Sequence, residues 1–451
     1  MIAPSDGAFP NSEDGRASRR ENMRAVLGGL FIVGVLLAAA SAGVSASANE
    51  GNRPVAWIRE FGTAGLDAAR AVAMDDGKIY GAGLVDGALP GQDSAGGSDV
   101  FLQRYNSGGK ELWTRQFGTS GDDAATVVGS LAVDDRNVYV GGLVSGALTG
   151  QSYAGDWDAF VRRYDPAGQE VWTRQFGTAG PDAIQGISAN RGLVYVGGFT
   201  SGALPGQTHA GGADAFVRMY DENGDEVWTR QFGTEGTDYV WSVAAGDDGV
   251  YAVGQTDGAL PGQTSAGGTD AFIRKYGPGG DDLWTRQFGT SKSDALHGVA
   301  VHGEAVFAAG EVQGTLPDQT SAGGFDAFVQ KYDSTGETAW TRQFGTTGRD
   351  NIWGVEAAET GVFVVGFVGG ALPGQTFAGV VDAFVRWYGD DGSVGFTFQF
   401  GTPGPDIAND VAFEDSEEGL YVAGATSGPL FGQLYSGDRD AFVLKIVPVD
   451  G

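Results

Sequence analysis

Apolar residues in this chain come in short runs, too brief and too irregular for helices. The stretch from Asp182 to Phe232 shows the pattern. An apolar segment, AIQGIS, is followed by VYVGG, the loop GALPGQTHAGG, DAFVRMY, the turn DENGDE and finally VWTRQF. Each ordered run is rich in Val, Tyr, Phe, Trp and Thr and is bounded by Gly, Asp or Asn, which is the chemistry of strands joined by turns. No segment from residue 55 onward sustains the period of an amphipathic helix. The unit predicts four strands.

The unit recurs. Its Phe-Gly pair falls at Phe61, Phe117, Phe176, Phe232, Phe288, Phe344 and Phe400, in steps of 56, 59, 56, 56, 56 and 56 residues. Four strands per period of this length describe the blade of a β-propeller. The expected fold is all-β: a seven-bladed β-propeller with four antiparallel strands per blade. The ends predict how the ring closes. Val55–Phe61 is a last strand with no blade before it, and Asp440–Val447 is a third strand with no fourth after it. The N-terminal strand should therefore complete the C-terminal blade, leaving no open seam. The blades, numbered one to seven, fall at about 67–117, 123–176, 182–232, 238–288, 294–344, 350–400 and 406–447 plus 55–61. The propeller then fills residues 55–451, behind a short linker at 49–54 and a leader at 1–48.

Composition refines this picture. Glycine, 78 of 451 residues, recurs at fixed turn positions, so it marks turn chemistry rather than disorder. The formal net charge is −29, from 57 acidic and 28 basic residues. Such a chain lacks the basic face that nucleic acid requires, and its self-repulsion favours a monomer. Strong acidity combined with 22 Arg against 6 Lys points to a high-salt milieu. There, screening removes the repulsion, the Debye length being about 3 Å at 1 M salt. The absence of cysteine excludes disulfides, thiolate metal sites and Cys nucleophiles.

The leader has its own grammar. Arg16, Arg19, Arg20 and Arg24 precede an apolar run from Ala25 to Ala40, and Ala46-Ser47-Ala48 suits signal cleavage. This predicts export to the cell surface or beyond. Ser18-Arg19-Arg20 resembles the opening of a twin-arginine signal. The alternative is an uncleaved anchor, since Ala25–Ala48 can span a bilayer core of about 30 Å. Contact with a membrane is expected only through this segment.

Two longer pieces carry a resemblance. GDDAATVVGSLAVDDRNVYVGGLVSG (Gly121–Gly146) and DAFVRRYDPAGQEVWTRQFGT (Asp158–Thr178) resemble the repeat of the SBBP family, the seven-bladed bacterial β-propellers. The resemblance extends over residues 55–447. It implies the propeller fold and export, and no single chemistry, so no catalytic residue is carried over. YDENGDEVW (Tyr220–Trp228) also resembles the tryptophan-docking motif of quinoproteins. Their alcohol dehydrogenases stack the quinone on a vicinal Cys pair that this chain lacks. The motif is read here as a hairpin turn followed by a Trp packed between blades.

In a propeller, the crossing between blades and the connection of strands two and three share one face. Here those are the FGTxGxD and GALPGQTxAGGxD segments, so the long loops crowd one rim, where binding is expected. Positions identical in all copies read as structural. The Asp of GxD (Asp67, Asp123, Asp182, Asp238, Asp294, Asp350, Asp406) and the Asp of DAF (Asp99, Asp158, Asp214, Asp270, Asp326, Asp382, Asp440) read as turn caps. Calcium between loops is the alternative, though no EF-hand-like run accompanies them. No other cofactor is implied.

Variable positions are the candidates for recognition. Three residues after the GxD Asp stand Arg70, Thr126, Gln185, Trp241, His297, Trp353 and Asn409, a set placed near the axis. They either recognise an asymmetric ligand or fill the channel mouth. After the loop Gln come Ser94, Tyr153, His209, Ser265, Ser321, Phe377 and Tyr435, of which Tyr153, His209, Phe377 and Tyr435 suit protein or glycan contact. The three histidines, His209, His297 and His302, are not expected to converge on a metal. No nucleophile elbow, zinc-binding helix motif or phosphate loop is present. Departures from the repeat are mild: Lys292-Ser293-Asp294 and Thr315–Gln319 in blade five, and Phe396–Gln399 in place of WTRQ. The expected function is a non-catalytic binding or scaffold protein. The alternative is an extracellular propeller enzyme: a polysaccharide lyase, a glycosidase or a quinone-dependent oxidoreductase.

Overall fold

The computed structural model describes residues 54–125, 130–134, 137–414 and 419–447. The leader expected over residues 1–48 lies outside them. The described residues form seven antiparallel sheets, six of them ordered from inner to outer strand along the chain. Blade three is representative, with strands Asp182–Asn190, Leu193–Thr200, Asp214–Tyr220 and Glu226–Phe232. In blade two the inner strand is described as two pieces, Ala124–Ala125 and Leu131–Asp134, both paired with Asn137–Val144. Blade seven is built from both ends of the chain. Val55–Phe61 pairs antiparallel with Asp440–Ile446, with Ile58 opposite Leu444 and Phe61 opposite Ala441. The ring closes as the repeat frame predicts.

The core lies between blades. Tyr139, Val161 and Trp172 of blade two pack with Ile184, Val196, Phe216 and Tyr220 of blade three, and the junction of blades three and four repeats this arrangement. At the loop face, the GxD Asp ties three segments together. Asp182 accepts the Thr178 N–H at 2.5 Å, the Thr178 hydroxyl at 3.0 Å and the Thr200 hydroxyl. The DAF Asp clips the long loop: Asp214 accepts the Ala210 N–H and the Gln231 amide, both at 2.8 Å. The two carboxylates approach across the Phe-Gly glycine. A β-carbon on Gly177 would lie 2.7 Å from Asp158 Oδ1 and 2.8 Å from Asp182 Oδ2, so only the glycine Cα–H fits there.

A second device locks six of the seven blades to the next. Trp172 donates its indole N–H to Glu222 O at 3.1 Å and covers Gly224, while Arg174 donates to Gly224 O at 2.7 Å and Asn223 O at 2.9 Å. Trp228 repeats this on the Pro278–Gly280 turn, and Trp57 bonds Ser107 O at 2.9 Å. The quinoprotein-like motif is thus a turn glycine seated under the preceding blade's tryptophan.

The Phe396–Gln399 departure now has a cause. That outer strand faces blade seven, whose last strand comes from the N-terminus, so no hairpin turn offers carbonyls to a Trp and an Arg. Phe396 and Phe398 take their places, and Phe398 stacks on Phe400 at 5.2 Å. Asp318, the other marked departure, adopts φ 58°, where the equivalent loop positions of the other blades hold glycines such as Gly206 (φ 73°) and Gly374 (φ 75°).

Two outcomes are expected. Removing residues 1–61 should lower the melting temperature by roughly 10 °C or more, several kcal/mol at about 2 °C each for a ring of this size. An unchanged melting curve would overturn the closure. Asp318→Gly should raise it by about 2 °C, since a non-glycine left-handed residue costs roughly 1 kcal/mol.

Candidate functional site

The inner strands carry the axial set on a backbone irregularity. Pairing with the second strand skips one residue between Ala69 and Ala71, Ile184 and Gly186, Val240 and Ser242, Leu296 and Gly298, Ile352 and Gly354, and Ala408 and Asp410. The skipped residues are Arg70, Gln185, Trp241, His297, Trp353 and Asn409. A β-bulge leaves its extra residue unpaired and re-aims the side chain. In the described blades other than the seventh, the next residue is small because neighbouring inner strands converge: a β-carbon on Gly186 would lie 2.7 Å from the Ser242 Cα. Thr126, the blade-two member, lies outside the described residues.

These side chains pack on one another. Trp241 meets His297 edge-on with ring centres 5.6 Å apart, and His297 lies 4.3 Å from Trp353. The Trp241 indole donates to Gln255 Oε1 at 3.0 Å, His297 Nδ1 pairs with Asn351 Oδ1 at 3.0 Å, and Asn409 donates to Ala69 O at 2.8 Å. Arg70, Gln185, His297, Trp353 and Asn409 are buried, and Trp241 is half-buried. Burial pushes the His297 imidazole down to about 4, against its bond to Asn351, and holds it neutral. Burial, with Arg439 nearby, brings the Arg70 guanidinium down to about 10.

The stack has neighbours that the sequence comparison missed. Arg349 grips Glu311 through two bonds of 3.0 and 2.7 Å. The Gln185 amide and Asn351 Nδ2 have no hydrogen-bond partner among the described residues. Aligning the second strands would have exposed part of this group. Leu84, Leu143, Phe199, Gln255, Glu311, Phe367 and Ala425 are equivalent, and only Gln255 and Glu311 are polar.

Beyond the stack, the second halves of the inner strands line a cavity of about 330 Å³. Two acids enter it from adjacent blades at positions that are small elsewhere. Asp410 accepts the Val72 N–H at 3.0 Å, and burial lifts its carboxyl to about 7. Burial, and then Asp410, lift Glu356 to about 8, while the Phe413 N–H opposes them. Ser188 accepts the Ala245 N–H at 3.0 Å in the same way. These side chains cap the inner-edge N–H groups of the next blade. Among the described residues, no group of three or more His, Asp and Glu is arranged to hold a metal ion.

The rim set lies on separate loops. Tyr153 and Phe377 are 37% and 38% exposed, His209 is exposed and Tyr435 is half-buried. Tyr153 and Tyr435 turn their hydroxyls onto Asp156 O and Asp438 O of their own loops, and His209 Nδ1 lies 3.3 Å from Asp214 Oδ2. Tyr153 also lines a groove of about 490 Å³ with Pro205 and Arg174. Two rim residues escaped the sequence comparison: Val380, 62% exposed, and Leu434, 88% exposed. They stand beside Phe377 and Tyr435 in the loops of the adjacent blades six and seven.

Fold and loop face together define a closed seven-bladed β-propeller. No family model matches the chain. It is 28% identical over 346 residues to the "Regulatory protein FlaEY" of Caulobacter vibrioides, covering 66% of this chain, and it spans only about a third (36%) of that relative's length. Among solved structures it is similar to the Pan2 WD40 domain of Neurospora crassa, with a TM-score of 0.50 and 11% identity over 85% of this chain and 90% of that one. The WD40 propeller domain of Doa1 aligns with a TM-score of 0.47 and 13% identity, over 86% of this chain and 97% of that one. The Pan2 domain shares the propeller fold.

The stack predicts unequal tryptophans. Trp353→Ala should cost about 3–5 kcal/mol of stability, as for a buried aromatic, and the half-buried Trp241→Ala distinctly less. Denaturant unfolding of both variants measures this. Equal small losses would return the stack to the status of an open ligand site.

Proposed function

We propose that this chain is an exported propeller of the SBBP type that acts by binding, docking a protein partner on its long-loop face at blades six and seven. One observation carries the reading. Phe377, Val380 and Leu434 present exposed apolar side chains on neighbouring loops. The positions of Val380 and Leu434 hold Gly, Asp, Ser or Thr in the other six blades. Isolated exposed apolar residues are ordinary, but a group breaking an otherwise polar repeat suits an interface. Burying each side chain against a partner is worth about 1.5–3 kcal/mol.

Aliphatic Val380 and Leu434 favour a protein over a glycan, which would call for stacked aromatic faces. The axial His297 and tryptophans are taken up by packing, which supports binding over catalysis. The GxD and DAF carboxylates accept N–H bonds, which supports their turn role over calcium. Export rests on the leader pattern, and a high-salt milieu on the charge of −29. The FlaEY protein is called regulatory, and a regulatory role through association accords with this reading.

The test is cross-linking of the exported protein in its native envelope, comparing wild type with Val380→Asp and Leu434→Asp. Both variants should melt like wild type and each lose at least about tenfold in partner yield, as the loss of one apolar anchor worth about 1.5–3 kcal/mol implies. Full retention of partners by both would refute the docking sector.

A further inference from the structure

Six outer strands carry a glutamine just before the Phe-Gly pair: Gln116, Gln175, Gln231, Gln287, Gln343 and Gln399. The seventh carries Glu60. The glutamine clips the long loop to the outer strand. Gln231 Oε1 accepts the Leu204 N–H at 2.9 Å, and its amide N–H₂ donates to Gly202 O at 3.0 Å and Asp214 Oδ2 at 2.8 Å. The other five repeat this, for example Gln343 with Leu316, Gly314 and Asp326.

Glu60 keeps half of the clip. Its Oε2 accepts the Leu430 N–H at 2.9 Å, in the place of the glutamine oxygen. Its Oε1 then stands where six blades hold an N–H₂ group, against the equivalents of Gly202 O and Asp214, namely Gly428 O and the Asp440 carboxylate. This oxygen is sealed from solvent and has no hydrogen-bond partner, whereas the equivalent glutamine amides donate to Oδ2 of the DAF Asp. Asp440 Oδ2 already accepts the Ser436 N–H at 2.7 Å. Acceptors facing acceptors in a dry gap repel unless something positive lies between them.

We propose that a proton on Glu60 is the latch of the ring, replacing the glutamine N–H donor at the one blade whose outer strand is not tethered by a hairpin. Protonated, Glu60 Oε1–H donates to Asp440 or Gly428 and completes the clip. Ionised, it sets the sealed Glu60 Oε1 against the Asp440 carboxylate and loosens both the Ser427–Arg439 loop and the Val55–Phe61 strand. No other blade can open this way, because its outer strand is held covalently to the third.

The charged and titratable groups around the gap agree with this. Asp440 comes from the third strand, Asp406 from the inner strand and Tyr435 from the loop, and Arg439 lies near Tyr435 and Asp406. Arg59 on the same strand as Glu60 donates to Ile58 O. Burial first, and then the Asp440 and Asp406 carboxylates, lift Glu60 to about 7, against the Leu430 N–H. A folded value raised above the unfolded one gives stability that is complete below about 4.5 and is lost as pH rises through about 7. The inference does not depend on the proposed partner.

The experiment compares wild type with Glu60→Gln by hydrogen exchange of the Val55–Phe61 amides, corrected for intrinsic rates, at about pH 5 and about pH 8.5, with melting curves alongside. Between the lower and the higher pH, protection in wild type should fall by about tenfold or more beyond any fall that Glu60→Gln shows. The two melting temperatures should converge at low pH and separate at high pH, Glu60→Gln being higher. Other buried carboxyls with raised values, such as Asp182 and Asp406, are common to both proteins and cancel. Parallel pH responses of the two proteins would overturn the latch. So would restoration of wild-type protection at high pH by calcium and its loss with a chelator, which would assign the gap to a cation.

Discussion

A carboxylate buried at the start of every inner strand is the constraint from which the rest of the ring follows. The Asp of GxD joins the crossing from the previous blade, the inner strand and the end of the second strand through N–H and hydroxyl donors. A charged group in that place is tolerable only because its lone pairs are satisfied. Its demand fixes the Thr that donates to it. It also fixes the glycine between it and the neighbouring carboxylate, because no side chain fits there. The repeated FGTxGxD is therefore the minimum set of residues that can bury an acid at a blade junction.

Much of this was legible in the sequence because a repeat restates its constraints seven times. The four-strand unit, the blade count and the closure by Val55–Phe61 follow from the spacing of Phe-Gly pairs and from the strands left over at each end. The role of the two Asp sets was legible too, since an Asp before a strand is ordinary turn chemistry. The Phe396–Gln399 departure was visible, but its cause was not. That cause is a missing hairpin turn on the adjacent blade, and it exists only once the ring is closed.

The candidate sites were legible in position and not in state. Counting three residues past the GxD Asp located the axial set. Nothing in single positions revealed that the residue sits on a bulge, or that Trp241, His297 and Trp353 consume one another's surfaces. Val380 and Leu434 escaped for the opposite reason. An apolar residue in a loop is expected to tuck under its neighbours, and only the structure shows these two left in solvent. Glu60 escaped because Glu for Gln is a change of one atom in shape. Its weight appears only beside the Asp440 carboxylate. The departures that matter gather in blades four to seven, so a nearly sevenfold scaffold carries a one-sided chemistry.

Closure by Val55–Phe61 also orders events in time. During synthesis this strand is among the first parts of the propeller to emerge, yet the strand it pairs with, Asp440–Ile446, is made last. Until then a row of unpaired backbone groups must be kept from wrong mates, and the six continuous blades can assemble without it. The final contact joins residues almost 390 positions apart, among the longest-range pairings a chain of this length can make. Completion of the ring therefore reports that the whole propeller has been made.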